Sequence, residues 1–102
     1  MTVIVVATVT PLPEHRAEVI ELFEATIARV HTEQGCELYA LHEGADELLM
    51  IEKWSGADLL KQHSSGQALA DLDPQLDGKL AGPTVVKVYR PHPAGTAEQG
   101  AL

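Results

Sequence analysis

The chain has 102 residues, of which 45% are hydrophobic and 22% are charged, a composition close to that of one compact soluble domain. The formal net charge of −8 and the scattered Lys and Arg residues argue against binding to a nucleic acid backbone. The single cysteine, Cys36, cannot form an internal disulfide, and no run of about 18 apolar residues or signal sequence indicates a membrane protein, so we expect a cytoplasmic protein.

The first predicted elements are a strand and a helix. Thr2 to Val9 is rich in β-branched residues and is closed by Pro11 and Pro13, which is typical of a strand. Apolar residues then recur at spacings of three and four up to Gly35. This spacing predicts an amphipathic helix whose inward face consists of Ile20, Phe23, Ile27 and Val30.

The middle of the chain predicts a hairpin followed by a second helix. Two strands, Cys36 to Gly44 and Glu47 to Trp54, are joined by a turn around residues 44 to 46. Ser55 with Asp58 three residues later resembles a capping box that starts the helix. We expect this helix to be interrupted at residues 64 to 66, to resume at Gln67 and to meet Pro74.

The last predicted strand runs from Thr84 to Arg90. The order strand-helix-strand, repeated once, predicts a ferredoxin-like α+β domain with an antiparallel sheet over residues 1 to 91. Residues 92 to 102 contain proline and glycine without apolar periodicity, so we expect a disordered tail.

The strands carry apolar residues on both faces. In the first strand Ile4 and Val6 lie opposite Val5 and Ala7, although a sheet with water on one face should alternate apolar with polar residues. A two-fold homodimer would cover the second face with one self-complementary surface. The alternative is an unusually apolar exposed sheet, which is rare in monomers.

Two aromatic side chains are candidates for a reaction site. His63 follows Leu59 by four residues and Leu60 by three, so on a helix it shares their inward face, where an imidazole can act as a general base. The alternative is a partly buried histidine with a structural hydrogen bond. Trp54 either walls a pocket and donates its indole N–H or anchors the core at a strand-helix corner.

Other residues add little chemistry. Tyr39, His42 and Glu52 lie on the hairpin strands, where they can line the same cavity or be structural. No pair of histidines has the helical i, i+4 spacing of a metal site, and the glycines form no phosphate-binding loop, so we predict no metal ligands.

Four segments, VVATVTPLP, GCELYALHEG, IEKWSGADLLKQHSS and GPTVVKVYRP, resemble the antibiotic biosynthesis monooxygenase family over about residues 2 to 91. The most specific parts are Gly35-Cys36-x-x-Tyr39, Glu52-x-Trp54-x-x-x-x-Leu59, and His63 nine residues after Trp54. The resemblance implies a dimeric α+β barrel of ferredoxin-like protomers, with a pocket between the helices and the sheet of each subunit.

The resemblance also implies an activity and roles for residues. Many members of the family oxidise an anthrone, a quinol or a polyketide-like phenol to a quinone with O2 and without a metal, flavin or haem, so no cofactor is expected. His63 is then the proton acceptor, with Trp54 and Tyr39 as walls and donors and Thr8 as an inward hydroxyl. The packing of Phe23, Leu59, Leu60 and Leu69 sets the volume of the pocket.

Relatives with the same fold leave alternatives. Haem-degrading proteins use an asparagine, a tryptophan and a haem-ligating histidine at places that hold Thr8, His63 and Leu72 here, which argues against haem degradation. A non-oxidative small-molecule enzyme of the isomerase type and a dimeric small-molecule-binding protein remain open, because the fold does not decide the activity.

Overall fold

The computed structural model describes all 102 residues and has the predicted ferredoxin-like order of elements. The strands and helices are β1 (Val3–Val9), α1 (Arg16–Val30), β2 (Cys36–Glu43), β3 (Leu48–Trp54), α2 (Ala57–Ser64), α3 (Gln67–Leu76) and β4 (Val85–Tyr89). A short 3-10 turn, Pro13–His15, leads into α1. No helix has the length and apolar character needed to cross a bilayer.

The four strands form one antiparallel sheet in the order β2-β3-β1-β4. Glu52 in β3 lies opposite Tyr39 in β2 and Val5 in β1, and Val5 lies opposite Val88 in β4. Because directly paired residues point to the same side of a sheet, these four side chains share one face. This is the face that packs against the helices, and we call it the covered face.

Helix α1 packs on the covered face with a slightly different row of residues from the predicted one. Its buried side chains are Val19, Phe23, Thr26 and Val30, whereas Ile20 and Ile27 are partly buried beside them. Two of the four predicted inward positions, Ile20 and Ile27, are therefore one residue away from the buried ones, Val19 and Thr26. The apolar stripe is wider than one row, so spacing alone does not fix its centre.

Two local predictions for the helical segments are wrong. Gly56, and not Ser55, precedes the first turn of α2: its carbonyl accepts the N–H of Leu60 at 3.1 Å, and no side chain caps the helix. Helix α3 continues past Pro74 to Leu76. The burial of Leu76 favours this last turn, although Pro74 has no N–H to donate to the carbonyl of Ala70.

The second face of the sheet, which we call the open face, carries no helix. The side chains of Ile4, Val6, Leu49 and Ile51 are half-buried there. At its edge all five residues of β4 are exposed on both faces, and the apolar side chains among them are 48% to 59% exposed. The predicted apolar character of both faces is confirmed, and the homodimer stays a prediction.

The segment from His92 to Leu102 contains no helix or strand. It makes a turn in which the N–H of Gly100 donates to the carbonyl of Thr96 at 2.8 Å, and Lys53 Nζ donates to the backbone oxygen of Leu102 at 2.8 Å. Its predicted disorder stays a prediction.

Candidate active site

The loop between α1 and β2 packs against the start of α2. Gly35 in this loop has φ +82°, a conformation that other residues rarely adopt, and a Cβ atom there would collide with the side chain of Leu59. The carbonyl of Gly35 accepts the N–H of Ser55 at 2.9 Å. The loop therefore lies on the junction of β3 and α2 and places Glu33 beside that helix.

His63 on α2 lies between two carboxylates. Its Nδ1 is 2.7 Å from Oε1 of Glu33, and its Nε2 is 3.9 Å from Oε1 of Glu52. The first distance is a short hydrogen bond, whereas the second is too long for one. The side chains of His63 and Glu52 are only 4% and 6% exposed, while that of Glu33 is 24% exposed. Glu33 is thus the carboxylate on the solvent side of the ring.

Two aromatic rings fix the plane of the imidazole. The ring of Trp54 stacks on His63 with centroids 4.5 Å apart, and Tyr39 meets His63 edge to face at 5.3 Å. The indole N–H of Trp54 donates to Oε1 of Glu52 at 2.9 Å. The i, i+2 spacing of these two residues on β3 places both on the covered face. Every member of the cluster therefore contacts another member, which holds the imidazole in one orientation.

Burial shifts the acidity of two members of the cluster. It raises the pKa of the Glu52 carboxyl, an effect that the Trp54 N–H and His63 oppose and that Glu33 reinforces. Burial also raises the pKa of the Tyr39 hydroxyl, and the negative charges of Glu52 and Glu33 raise it further. Tyr39 therefore stays a hydroxyl donor at neutral pH, and Glu52 accepts a proton more readily than an exposed carboxylate does.

A cavity of about 240 Å³ lies between the helices and the covered face. Tyr39, Glu52 and His63 form its polar side, and its mouth is marked by the exposed residues Asp73 and Val86. The apolar residues of its wall are Val5, Ala7, Val9, Phe23, Met50, Leu60, Leu69, Leu72 and Leu76. An apolar cavity with a few convergent polar groups is the usual form of a small-molecule site.

A second depression lies on the outer side of His63, and we call it the outer cleft. It has a volume of about 600 Å³ and is lined mainly by polar residues, among them Arg29, Glu33, Gln62 and Gln67. Although it is the larger space, it has few apolar walls to bind a ligand. We therefore assign the candidate site to the inner cavity. His63 lines both spaces and separates them.

The structure brings together most of the predicted site residues. Phe23, Tyr39, Leu60 and His63 all line the inner cavity. Leu59 does not; it contacts the Gly35 loop and lines the outer cleft, because a residue next to Leu60 on a helix faces a different direction.

The predicted placement of Thr8 is wrong, and the structure decides between the possibilities left open for His42 and for Trp54. The Thr8 hydroxyl does not point inward: Thr8 pairs with Leu49 and Val85 on the open face, since it alternates with the buried Ala7 and Val9. His42 also pairs with Leu49, and it is exposed outside the cavity.

Trp54 is fully buried and lies behind the polar side of the cavity, so it is not a wall. Its indole N–H does meet an oxygen, as expected, but the oxygen belongs to Glu52 and is not available as a substrate partner. The alternative that Trp54 anchors the corner between β3 and α2 describes its position correctly.

Glu33 is the member of the cluster that the sequence did not indicate. It is 30 residues from His63, in a loop without a motif of its own, so only the folded chain brings the two together. No group of three or more His, Cys, Asp or Glu side chains is arranged to hold a metal ion.

Comparison with known proteins identifies the family. The family model described as antibiotic biosynthesis monooxygenase matches residues 2–72. The Mycobacterium tuberculosis protein named "Putative monooxygenase Rv0793" is 31% identical over 91 residues, which cover 87% of this chain and 90% of that protein. The structure of Rv0793 superposes with a TM-score of 0.86 at 28% identity, covering 94% of this chain and all 100% of that one.

Two further structures agree. A conserved protein from Methanosarcina mazei has a TM-score of 0.83 at 27% identity, with 88% of this chain and 92% of that chain covered. A Caulobacter crescentus protein described as a "putative antibiotic biosynthesis monooxygenase" has a TM-score of 0.81 at 25% identity, with 86% and 87% covered. The chain therefore belongs to the antibiotic biosynthesis monooxygenase family, as its sequence motifs indicated.

Proposed function

We propose that this protein is a cofactor-independent monooxygenase that oxidises a small electron-rich aromatic, such as an anthrone, a quinol or a phenol, to a quinone with O2. The observation that carries the proposal is the position of His63. Its Nε2 makes no hydrogen bond and lies on the side of Glu52, which lines the apolar cavity. A free imidazole nitrogen beside an apolar cavity is a suitable base for a phenol or an activated methylene.

The reaction needs one base and molecular oxygen. Nε2 of His63 takes a proton from the substrate, and the resulting carbanion or phenolate passes one electron to O2. The superoxide and the substrate radical combine to a peroxide anion, which takes the proton back from His63. The peroxide forms on the methylene of an anthrone or on a ring carbon of a phenol or quinol that carries hydrogen, and loss of water from this hydroperoxide leaves a carbonyl. The substrate thus loses two hydrogen atoms, both from the methylene or one each from the hydroxyl and the ring carbon, and gains one oxygen atom, while the other oxygen atom leaves as water. The substrate supplies the electrons, and O2 is the oxidant.

The other polar groups of the cavity suit the charge that develops. The hydroxyl of Tyr39 remains protonated because burial raises its pKa, so it can donate to an oxyanion of the substrate. The apolar wall excludes water from the anion and the peroxide. The volume of about 240 Å³ is smaller than that of most small-molecule sites, which favours a compact aromatic over a large polyketide.

Oxygen uptake tests the proposal. Purified protein with a chelator and no added cofactor should consume O2 with at least one member of a panel of anthrones, hydroquinones and naphthols. His63→Ala should lower kcat by roughly 10²- to 10⁴-fold. His15→Ala is the matched control, because the His15 ring lies in the turn before α1, outside both faces of the sheet, and forms a hydrogen bond only with the side chain of Glu18. An undiminished rate in His63→Ala would contradict the role of this histidine.

One observation favours a non-oxidative isomerase as the alternative. His63 and Glu52 lie on the same side of the cavity, and the raised pKa of Glu52 suits a group that returns a proton to a second atom of the substrate. An isomerase would exchange substrate hydrogen with deuterated water and consume no O2. Tight binding without exchange or uptake would instead indicate a small-molecule-binding protein.

We further propose that the active form is a homodimer joined through the open face. Half-buried apolar side chains on β1 and β3 support this arrangement, together with Val85 and Tyr89 of β4, which pair with Thr8 and Ile4 on the open face and are 48% and 49% exposed. An obligate interface of this kind commonly buries more than about 2,000 Å². Light scattering at micromolar concentration should give the mass of two chains, and a stable monomer would contradict the proposal.

A further inference from the structure

We propose that Glu33 is the positioning residue of His63. From the outer cleft it keeps the ring proton on Nδ1, so that Nε2 keeps its lone pair for the substrate. This inference rests on the proposed function, in which His63 is the base. Glu33 itself does not touch the inner cavity, so it acts only through the histidine.

The geometry separates the two carboxylates by role. Glu33 lines only the outer cleft and Glu52 only the inner cavity, while His63 lines both. The ring is thus a partition with one carboxylate on each side. Only Glu33 is within hydrogen-bond distance, at 2.7 Å against 3.9 Å for Glu52.

The short contact determines which nitrogen is the base. A neutral imidazole carries one N–H, and a carboxylate oxygen can only accept, so the proton lies on Nδ1 and donates to Glu33. When Nε2 takes a second proton, the ring becomes a cation 2.7 Å from the carboxylate and stacked on the face of Trp54. Both neighbours stabilise that cation. The proton then remains available for the peroxide anion in the cavity.

The loop holds Glu33 in this position without a ligand. The backbone N–H of Glu33 donates to the carbonyl of Val30 at 2.9 Å, and the backbone carbonyl of Glu33 accepts the N–H of Cys36 at 3.3 Å. Its second carboxylate oxygen lies toward Gly66, where a Cβ atom would be 3.8 Å away. The carboxylate is therefore placed before substrate binds, which a positioning residue requires.

The test compares Glu33→Gln with Glu37→Gln, a neighbouring exposed glutamate outside the cluster. Glu33→Gln should lower kcat by roughly 10²-fold, because loss of an orienting carboxylate leaves the wrong tautomer, while KM stays within about twofold. Glu33→Asp should retain an intermediate rate. Glu37→Gln should behave as the wild type.

A second readout does not depend on turnover. The ¹⁵N shifts of the neutral His63 ring in the free protein should show the proton on Nδ1, and Glu33→Gln should move it toward Nε2. A wild-type ring protonated on Nε2, or a tautomer unchanged in Glu33→Gln, would overturn the proposal. If no aromatic supports oxygen uptake, the proposed function fails while the ring shifts still decide the role of Glu33.

A separate observation concerns the charge of the substrate. The residues that line the inner cavity include the carboxyls of Glu52 and Asp73 but no lysine or arginine. We infer that the site, if it binds the aromatic of the proposed function, selects neutral molecules over those that carry a carboxylate. A carboxylate would be desolvated there without a cationic partner.

Binding tests this selectivity without turnover. A naphthol should quench the fluorescence of Trp54, the single tryptophan, with a Kd at least about 10-fold lower than that of its carboxylated analogue. Asp73→Lys, which places a cation at the mouth of the inner cavity, should reduce the difference in Kd between the two compounds. Equal affinities in the wild type would overturn the inference, whether or not either compound is oxidised.

Discussion

The covered and open faces of the sheet have similar apolar sequences and different surroundings. Val5 and Met50 on the covered face are 1% and 2% exposed, whereas their neighbours Val6 and Ile51 on the open face are only half-buried. The helices complete the core on one side of the sheet and leave the other side apolar. One chain therefore buries the apolar residues of β1 and β3 on one face only.

The faces differ more clearly in their polar groups. The covered face buries Glu52 against His63 and Trp54, and burying a carboxyl and an imidazole among apolar residues costs free energy. Such groups are retained where their altered acidity is used. The open face contains no buried titratable residue. The comparison is consistent with the proposed reaction site on the covered face and the proposed dimer contact on the open face.

The largest expected effect is on stability and comes from the covered face. Trp54→Ala should lower the free energy of unfolding by about 3 to 5 kcal/mol, because it empties a fully buried site and leaves Glu52 without its N–H donor. Ile51→Ala on the open face should cost less within a monomer. Urea unfolding measures both. Equal losses at concentrations where the protein is monomeric would remove the distinction between the faces.

The fold was predictable because its signals are local. β-Branched runs and the spacing of apolar residues gave the strands, the helices and their order. The wrong predictions arose where a local pattern had two readings. Both faces of β1 are apolar, so the pattern did not show which face the helices cover. The covered face carries Val5, Ala7 and Val9, and Thr8 lies on the other. Ser55 has the side chain of a helix cap, yet its N–H bonds to the Gly35 loop and α2 begins two residues later.

The site was predictable only in part, for a different reason. Helical spacing placed His63 beside Leu60, and strand alternation placed Glu52 beside Trp54. The contact between His63 and Glu33 depends on how a loop packs across the junction of β3 and α2, and no spacing rule describes it. Burial decided the role of Trp54, because the single tryptophan was compatible with both a wall and a core position.

The next effect concerns association through the open face. Ile51→Lys should raise the dissociation constant of the proposed dimer by at least roughly 100-fold, because each chain would bring one lysine charge into the apolar interface. Sedimentation at several concentrations measures the change. Ala25→Lys adds the same charge at an exposed position of α1 and is the matched control. An unchanged dimer in Ile51→Lys would place the interface elsewhere.

A smaller effect should appear as a pH dependence of stability. Burial raises the pKa of Glu52, so the folded protein binds its proton more tightly than the unfolded chain does. Stability from this group is fully present below the ordinary carboxyl pKa of about 4.3 and is lost as the pH rises through the raised value. Glu52→Gln should therefore be more stable than the wild type at about pH 8 and equal to it below about pH 4. A destabilised variant at about pH 8 would mean that the His63 and Trp54 contacts outweigh the cost of burial.

The smallest effect should come from the tail, which is the part of the chain that lies over the open face. Residues 92 to 102 border a space there with Thr2, Ile4 and Lys53, and the hydrogen bond from Lys53 to Leu102 is exposed. Few apolar contacts offset the entropy lost in ordering them. Truncation after Pro91 should therefore change the free energy of unfolding by less than about 0.5 kcal/mol and leave the dimer intact. A loss of several degrees in Tm, or a shift of the truncated protein between monomer and dimer, would show that the tail covers part of the open face. The difference in exposure between the apolar residues of the two faces would then be smaller than the core of the domain suggests.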